Sequence, residues 1–273
     1  MINKFPDKLY HYCTLSAFMS IIQNKCIWLS DTRYTNDALE VRVLDETVWN
    51  ALKELVDDKS FSIEKANELW ALYKGNNTVG YISCFSEDAD LLSQWRAYSD
   101  DGFGVAIGIS FDELKIELGN PYLVAGEKKH YFGYKVDYLD DGFKDTFYNL
   151  IKSKQNWENH YFELMQFFKR NYYTKSKGFA EEKEWRIVYL PLLLFDNKTG
   201  EADDREGFDL NECKFRNSNN RIIPYYELPI NTNCIKEIIL GPKSKLDYST
   251  LSMFLVQNGF KGVQIRSSSI PYI

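Results

Sequence analysis

The sequence has no paired cysteines. Its five, Cys13, Cys26, Cys84, Cys213 and Cys234, are spread singly, with no CxxC among them. An odd number at such spacing argues against a disulfide framework and against a zinc site. Histidine is scarce: His11, His130 and His160 have no mutual spacing that suggests a metal site. No run reaches the ~18 apolar residues of a membrane span, and Met1 to Lys8 carries no apolar signal core. A reduced, cytoplasmic, soluble protein with no membrane contact is expected. An excess of positive charge is also missing. Lys and Arg number 33 against 39 Asp and Glu, a net charge of −6. That disfavours a non-specific nucleic-acid binder, although a local basic patch fits within a negative total.

Several chemical signatures are absent as well. Ser86 ends a strand without the sharp GxSxG turn of a nucleophilic serine, and Cys84 sits in an apolar strand with no base nearby. Hydrolase triads are therefore poorly supported. Gly102-Phe103-Gly104 is too short for a dinucleotide fingerprint and precedes a strand rather than a helix. Gly241-Pro242-Lys243-Ser244 lacks the upstream glycine of a phosphate-binding loop and reads as a turn.

What the chain does have is length and rings. Its 273 residues are 44% hydrophobic and 16% aromatic, with 19 Tyr and 18 Phe. That is ample for a core, and such rings also line pockets for planar ligands. Leu9 to Cys13 reads as a short strand. Thr14 then caps a helix whose apolar face is Leu15, Phe18, Met19, Ile21 and Ile22. Further strands are expected at 26–30, 79–86, 104–109, 134–138, 184–190, 221–228, 234–240 and 262–266. Helices are expected at about 38–56, 63–73, 91–98, 111–117, 142–173 and 248–258. No linker or repeat divides the chain, so residues 1–273 form one domain. It carries a helical insertion at about 38–75, a long helical segment at about 142–176 and an irregular excursion at about 196–220. Strands and helices mix without regular alternation, which favours α+β over a doubly wound sheet.

The stretch Glu181-Glu182-Lys183-Glu184-Trp185-Arg186 stands directly before the apolar run Ile187 to Leu190. An acid at the mouth of a central strand is partly desolvated, fixed in direction and reachable, which is how a catalytic carboxylate is mounted. The plainer reading is a solvated charge cluster before an edge strand, with Arg186 paired to Glu184. His11, alone in its strand, is by the same standard a hydrogen-bonded core residue. Most of the aromatics at strand ends and in loops, Trp28 included, read as core.

Leu9-Tyr10-His11-Tyr12, Cys84-Phe85-Ser86-Glu87 with Trp95 and Tyr98, Glu184-Trp185-Arg186, Ile238 to Pro242 and Ser269 to Tyr272 occur in order. The set resembles a widespread bacterial family known only as domain of unknown function 2971. The opening strand and helix also look like those of the ADP-ribosyltransferase fold, in its His-Tyr-Glu branch. That resemblance implies a split mixed and antiparallel sheet with inserted helices. It makes His11 and Glu184 the catalytic pair, with Tyr34, Tyr81 and Phe85 competing for the middle aromatic. It implies NAD as substrate and no metal. Tyr12, Tyr34, Tyr81, Phe85 and Ser86 are the candidates around the NAD, and Arg33, Arg96 and Arg186 the candidates for its pyrophosphate.

The residue types suit that chemistry. Cleaving the nicotinamide–ribose bond builds positive charge on the ribose, which a nearby carboxylate stabilises. A histidine can hold a ribose hydroxyl or the carboxamide, and an aromatic ring fixes the nicotinamide. The first expectation is an NAD-dependent ADP-ribosyltransferase-like enzyme, a bacterial toxin or antiphage effector by resemblance. Its acceptor is an unknown protein or nucleic acid, with room for a regulatory partner protein. The second is a non-catalytic, nucleotide-sensing or protein-binding adaptor that keeps the fold. A metal-dependent nuclease is third, because no spaced carboxylate set supports it. The first two diverge on one point: whether His11 and Glu184 face one open cleft.

Overall fold

The computed structural model describes residues 4–34, 38–75, 79–119, 130–139, 142–153, 161–191, 212–218 and 220–272. Most of the expected excursion at 196–220 lies outside them. β1 (Leu9–Cys13) leads into α1 (Leu15–Asn24), where the Thr14 hydroxyl accepts the Ala17 amide at 3.2 Å and Phe18, Ile21 and Ile22 form the buried stripe. Lys25 takes a left-handed conformation and turns the chain into β2 (Cys26–Asp31). After α2 (Ala38–Asp57) and α3 (Ile63–Gly75) come β3 (Tyr81–Ser86), α4 (Leu92–Tyr98), β4 (Val105–Ile109), the single turn α5 (Phe111–Leu114) and β5 (Glu117–Leu118).

The strand expected at 134–138 is two strands, β6 (Phe132–Lys135) and β7 (Asp137–Leu139). The long helical segment is likewise broken. α6 (Gly142–Ser153) and α7 (Tyr161–Phe168) are followed by a 3-10 turn, and the chain then becomes β8 (Thr174–Ser176), which an aromatic helical pattern could not reveal. β9 (Glu184–Tyr189), β10 (Lys214–Ser218), β11 (Arg221–Pro229), β12 (Ile235–Leu240), α8 (Tyr248–Gln257) and β13 (Gln264–Ser267) complete the fold.

The result is a mixed α/β fold around a mixed parallel and antiparallel sheet. Its order is β10-β11-β2-β3-β1-β4-β12-β13, with β9, β6 and β5 added beside β3. β12–β13 and β5–β6 are the parallel pairs, and β7 pairs with β8 in a separate small sheet. The arrangement turns on β3. β9 pairs with all six of its residues, from Tyr81↔Tyr189 to Ser86↔Glu184. The opposite edge is divided: β2 takes Tyr81 and Ile82, and β1 takes Ser86. β1 and β2 therefore splay apart, and Ser83 to Phe85 has no strand partner on that edge among the described residues.

One face of the sheet carries Leu9, Ile107, Trp185, Ile187 and Ile238, covered by α1 and α8 through Phe18, Ile22, Leu251 and Leu255. The other face carries Tyr10, Tyr12, Ile82 and Val188, packed by Trp95 of α4 and by Tyr172 and Tyr173. α2, α3, α6 and α7 share a core of their own, with Val48, Leu52, Leu69, Phe147, Ile151 and Leu164 buried together. The two helical stretches, well separated in the sequence, are thus one layer. No helix among the described residues is long and apolar enough to cross a membrane.

Two glycines let backbones meet. A Cβ on Gly104 would lie 2.2 Å from the Cys13 carbonyl oxygen, and one on Gly241 would lie 2.3 Å from that of Gly102. Gly241→Ala should cost more than about 2 kcal/mol, whereas Gly178→Ala, whose Cβ would meet only the Ser176 hydroxyl at 3.9 Å, should stay within about 0.5 kcal/mol. Urea denaturation of the two variants beside wild type measures the difference.

Candidate functional site

Glu184 begins β9, directly after Lys183 turns the chain with φ +43°. β9 is not an edge strand, since β3 and β6 pair with its two sides. Nor is Glu184 at an open mouth, as the sequence led one to expect; the residue is 3% exposed. Arg186 Nε donates to its Oε1 at 2.7 Å, while Arg186 Nη2 and Lys175 Nζ donate to Oε2 at 3.3 and 3.0 Å. Lys175, wholly buried, also reaches Glu182 Oε2 at 2.8 Å. The arrangement is a buried quartet of two acids and two bases. Burial alone would raise the Glu184 pKa. The field of Arg186, its hydrogen bonds, the Lys175 charge and the Cys84 thiol outweigh that and hold it down at about 2. The pairing of Arg186 with Glu184 matches the plainer reading; the solvation expected with it is absent.

His11 lies elsewhere. Tyr10 stands opposite Ser86, and Ser86 opposite Glu184, so these three share a face of the sheet. His11, one residue along from Tyr10, leaves on the other face. It packs against Phe85, with ring centroids 5.4 Å apart. Its Nδ1 is 2.9 Å from the Cys84 carbonyl oxygen in the stretch of β3 that no strand partners on that edge. A carbonyl only accepts, so Nδ1 carries the proton and Nε2 is an acceptor. Burial lowers the His11 pKa, with the Cys84 bond opposing, and the ring is neutral at pH 7.

His11 lines a cleft of about 450 Å³ between the splayed strands. α1 contributes its cap Thr14 together with Ser16 and Ser20. β2 contributes Trp28 and Ser30, and β10 contributes Arg216. The Arg216 guanidinium lies 5.4 Å from the centre of the Trp28 ring, and its Nη2 donates to the Ser30 hydroxyl at 3.0 Å. Trp28 is itself braced by Tyr225, 4.5 Å away between centroids. Arg216 has no carboxylate partner among the described residues, and its Nε is buried without a hydrogen bond. The sequence signal for this site was thin. Ser16 and Ser20 share a helix face, Trp28 read as core, and Arg216 fell within the expected excursion.

The other expected site residues lie outside the cleft lining. Tyr12 points away from His11, donating to the Asp88 carbonyl and accepting the Leu91 amide. Tyr81 and Phe85 are 2% exposed, edge-on to Tyr226 and Phe111. Ser86 donates to the Glu182 carbonyl at 2.7 Å. Arg33 grips buried Asp31 through Nε and Nη2, and Tyr34 is exposed beside it. Arg96 lies over Tyr272, which Lys243 approaches as well. Arg186 belongs to the quartet. Of the ten expected residues, the structure brings His11 alone to the cleft.

Residues 94–187, from α4 to β9, match the model of a family described as protein of unknown function (DUF2971). This span contains Trp95, Tyr98 and Glu184-Trp185-Arg186, all part of the ordered set of motifs that carries the resemblance, and the match brings no activity with it. No curated protein and no solved structure matches the chain.

Removing one member of a buried pair strands its partner, typically at about 3–5 kcal/mol. Lys175→Met should therefore lower unfolding free energy by about that amount in chemical denaturation. Because Glu184 has a lower pKa folded than unfolded, its contribution is complete above the ordinary 4.5 and fades as pH falls toward 2. Denaturation midpoints across that window should fall further for wild type than for Glu184→Gln.

Proposed function

We propose that this protein binds a nucleotide of the NAD class in the cleft between β1 and β2 and acts as a nucleotide-sensing adaptor. The observation that carries this reading is Arg216: a guanidinium braced on Trp28 that faces the cleft, with no carboxylate partner and no hydrogen bond to its buried Nε among the described residues. A buried donor left unpaired costs about 1–3 kcal/mol, which a ligand oxyanion would relieve. The positive end of α1 and the hydroxyls of Thr14, Ser16 and Ser30 lie on the same cleft. A volume near 450 Å³ suits a ligand of nucleotide size. Neutral His11 offers Nε2 to a ribose hydroxyl.

The position of His11 on the cleft keeps the enzymatic reading in view. Against turnover stands Glu184, which is neutralised by two cations and leaves the sheet on the opposite face from His11. Both of its oxygens are already engaged by buried cations. An NAD-dependent transferase acting on a protein or nucleic-acid acceptor is the second reading.

Calorimetry with NAD and with ADP-ribose, beside chromatography for nicotinamide, separates them. The adaptor reading expects saturable binding, no nicotinamide release, and at least about tenfold weaker binding in Arg216→Ala, the usual scale for a charged hydrogen bond. Release of nicotinamide by wild type and not by His11→Ala would establish the enzyme instead. Absence of any binding would remove the nucleotide from this cleft.

A further inference from the structure

A second recess, of about 430 Å³, lies at the other end of the sheet. Lys8 precedes β1 at its rim, Glu113 comes from α5, and Thr232, Asn233, Ile235 and Lys236 come from the entry to β12. Lys261, Gly262 and Gln264 come from the entry to β13. It shares no lining residue with the cleft. Among the described residues, three lysines thus surround one polar recess whose lining holds a single carboxylate.

The partners of these lysines leave positive charge over. Glu237, 5% exposed, accepts Lys8 Nζ at 2.9 Å on one oxygen and Arg266 Nε at 2.8 Å on the other. One carboxylate is therefore shared by two cations. Lys236 reaches Glu113 at 3.4 Å, a long contact between half-exposed groups, of the kind worth little in water. Lys261 has no carboxylate partner among the described residues, and the side chains of Thr232, Asn233 and Gln264 have no protein partner there. Across the recess and its margin four cations meet two carboxylates, in a chain whose net charge is −6. At Gly262, where φ is +71°, nothing lies within 4 Å of the position a Cβ would take, and the mouth stays open.

We infer that this recess is an anion-binding site for a small, multiply charged oxyanion, the phosphate or pyrophosphate group of a small molecule. Lys236 and Lys261 hold the charge, and Thr232, Asn233 and Gln264 supply neutral hydrogen bonds. A recess of this size on a protein of net negative charge suits a compact anion better than a long polyanion.

The test is calorimetric titration of inorganic pyrophosphate into the full chain carrying Arg216→Ala, so that the cleft does not contribute. Saturable binding that weakens with added salt is expected. Adding Lys236→Ala and Lys261→Ala together should weaken it by at least about tenfold. Restoring charge with Lys236→Arg and Lys261→Arg should recover most of it. Both lysines are solvent-facing, and circular dichroism checks that the fold is kept. No saturable binding at millimolar pyrophosphate, or binding unaltered in the double alanine variant, overturns the proposal.

Discussion

Lys175 is fully buried, and the fold depends on what surrounds it. An isolated ammonium in that position would cost several kcal/mol. It is held instead by Glu182 and Glu184, with Arg186 completing the charge balance. The quartet fastens β8 to β9, and so joins the small second sheet and the helices leading into it to the main sheet. Arg186 Nη1 also donates to the Tyr172 carbonyl, and the Tyr138 hydroxyl accepts the Glu184 amide. Charges that look like site chemistry in one dimension therefore act as a fastening in three. Removing their solvent made them structural, because a carboxylate with both oxygens engaged has little left for a ligand.

The division of one edge of β3 has the second largest consequence. Where β1 and β2 separate, the Cys84 carbonyl would face the gap with no strand to donate to it. His11 fills that role. The same contact fixes the tautomer of the ring, so an architectural requirement and a chemical property of the cleft come from one hydrogen bond. A groove with a cation on one wall and a neutral acceptor on the other follows from how two strands share a third.

Much of the fold was legible. The strands at β1, β2, β3, β4, β9, β11 and β12 follow from apolar or alternating runs, and α1 from its Thr14 cap and its 3.6 period. β6 and β7 merged into one because Val136, where the chain changes sheets, is as apolar as a strand interior. β8 was hidden because Tyr172 and Tyr173 continue the aromatic pattern of α7, and the strand is short. The site was less legible. His11 was found, but its partners on β2 and β10 are far away in sequence and share no motif. Glu184 was misplaced because position before an apolar run does not say whether a charge faces water or other charges. That depends on Lys175, in a preceding strand the pattern did not show.

The shared edge of β3 also sets what variation in the cleft can achieve. Its width is determined by where β1 and β2 join β3, which is a matter of backbone pairing and not of side chains. Substitutions at Ser16, Ser20 or Ser30 change the depth and polarity of the groove while its span stays constant. Different side chains there would alter the chemistry of the groove and leave its breadth unchanged. A change of that breadth would require the strands to be re-registered, a far rarer event than a point substitution.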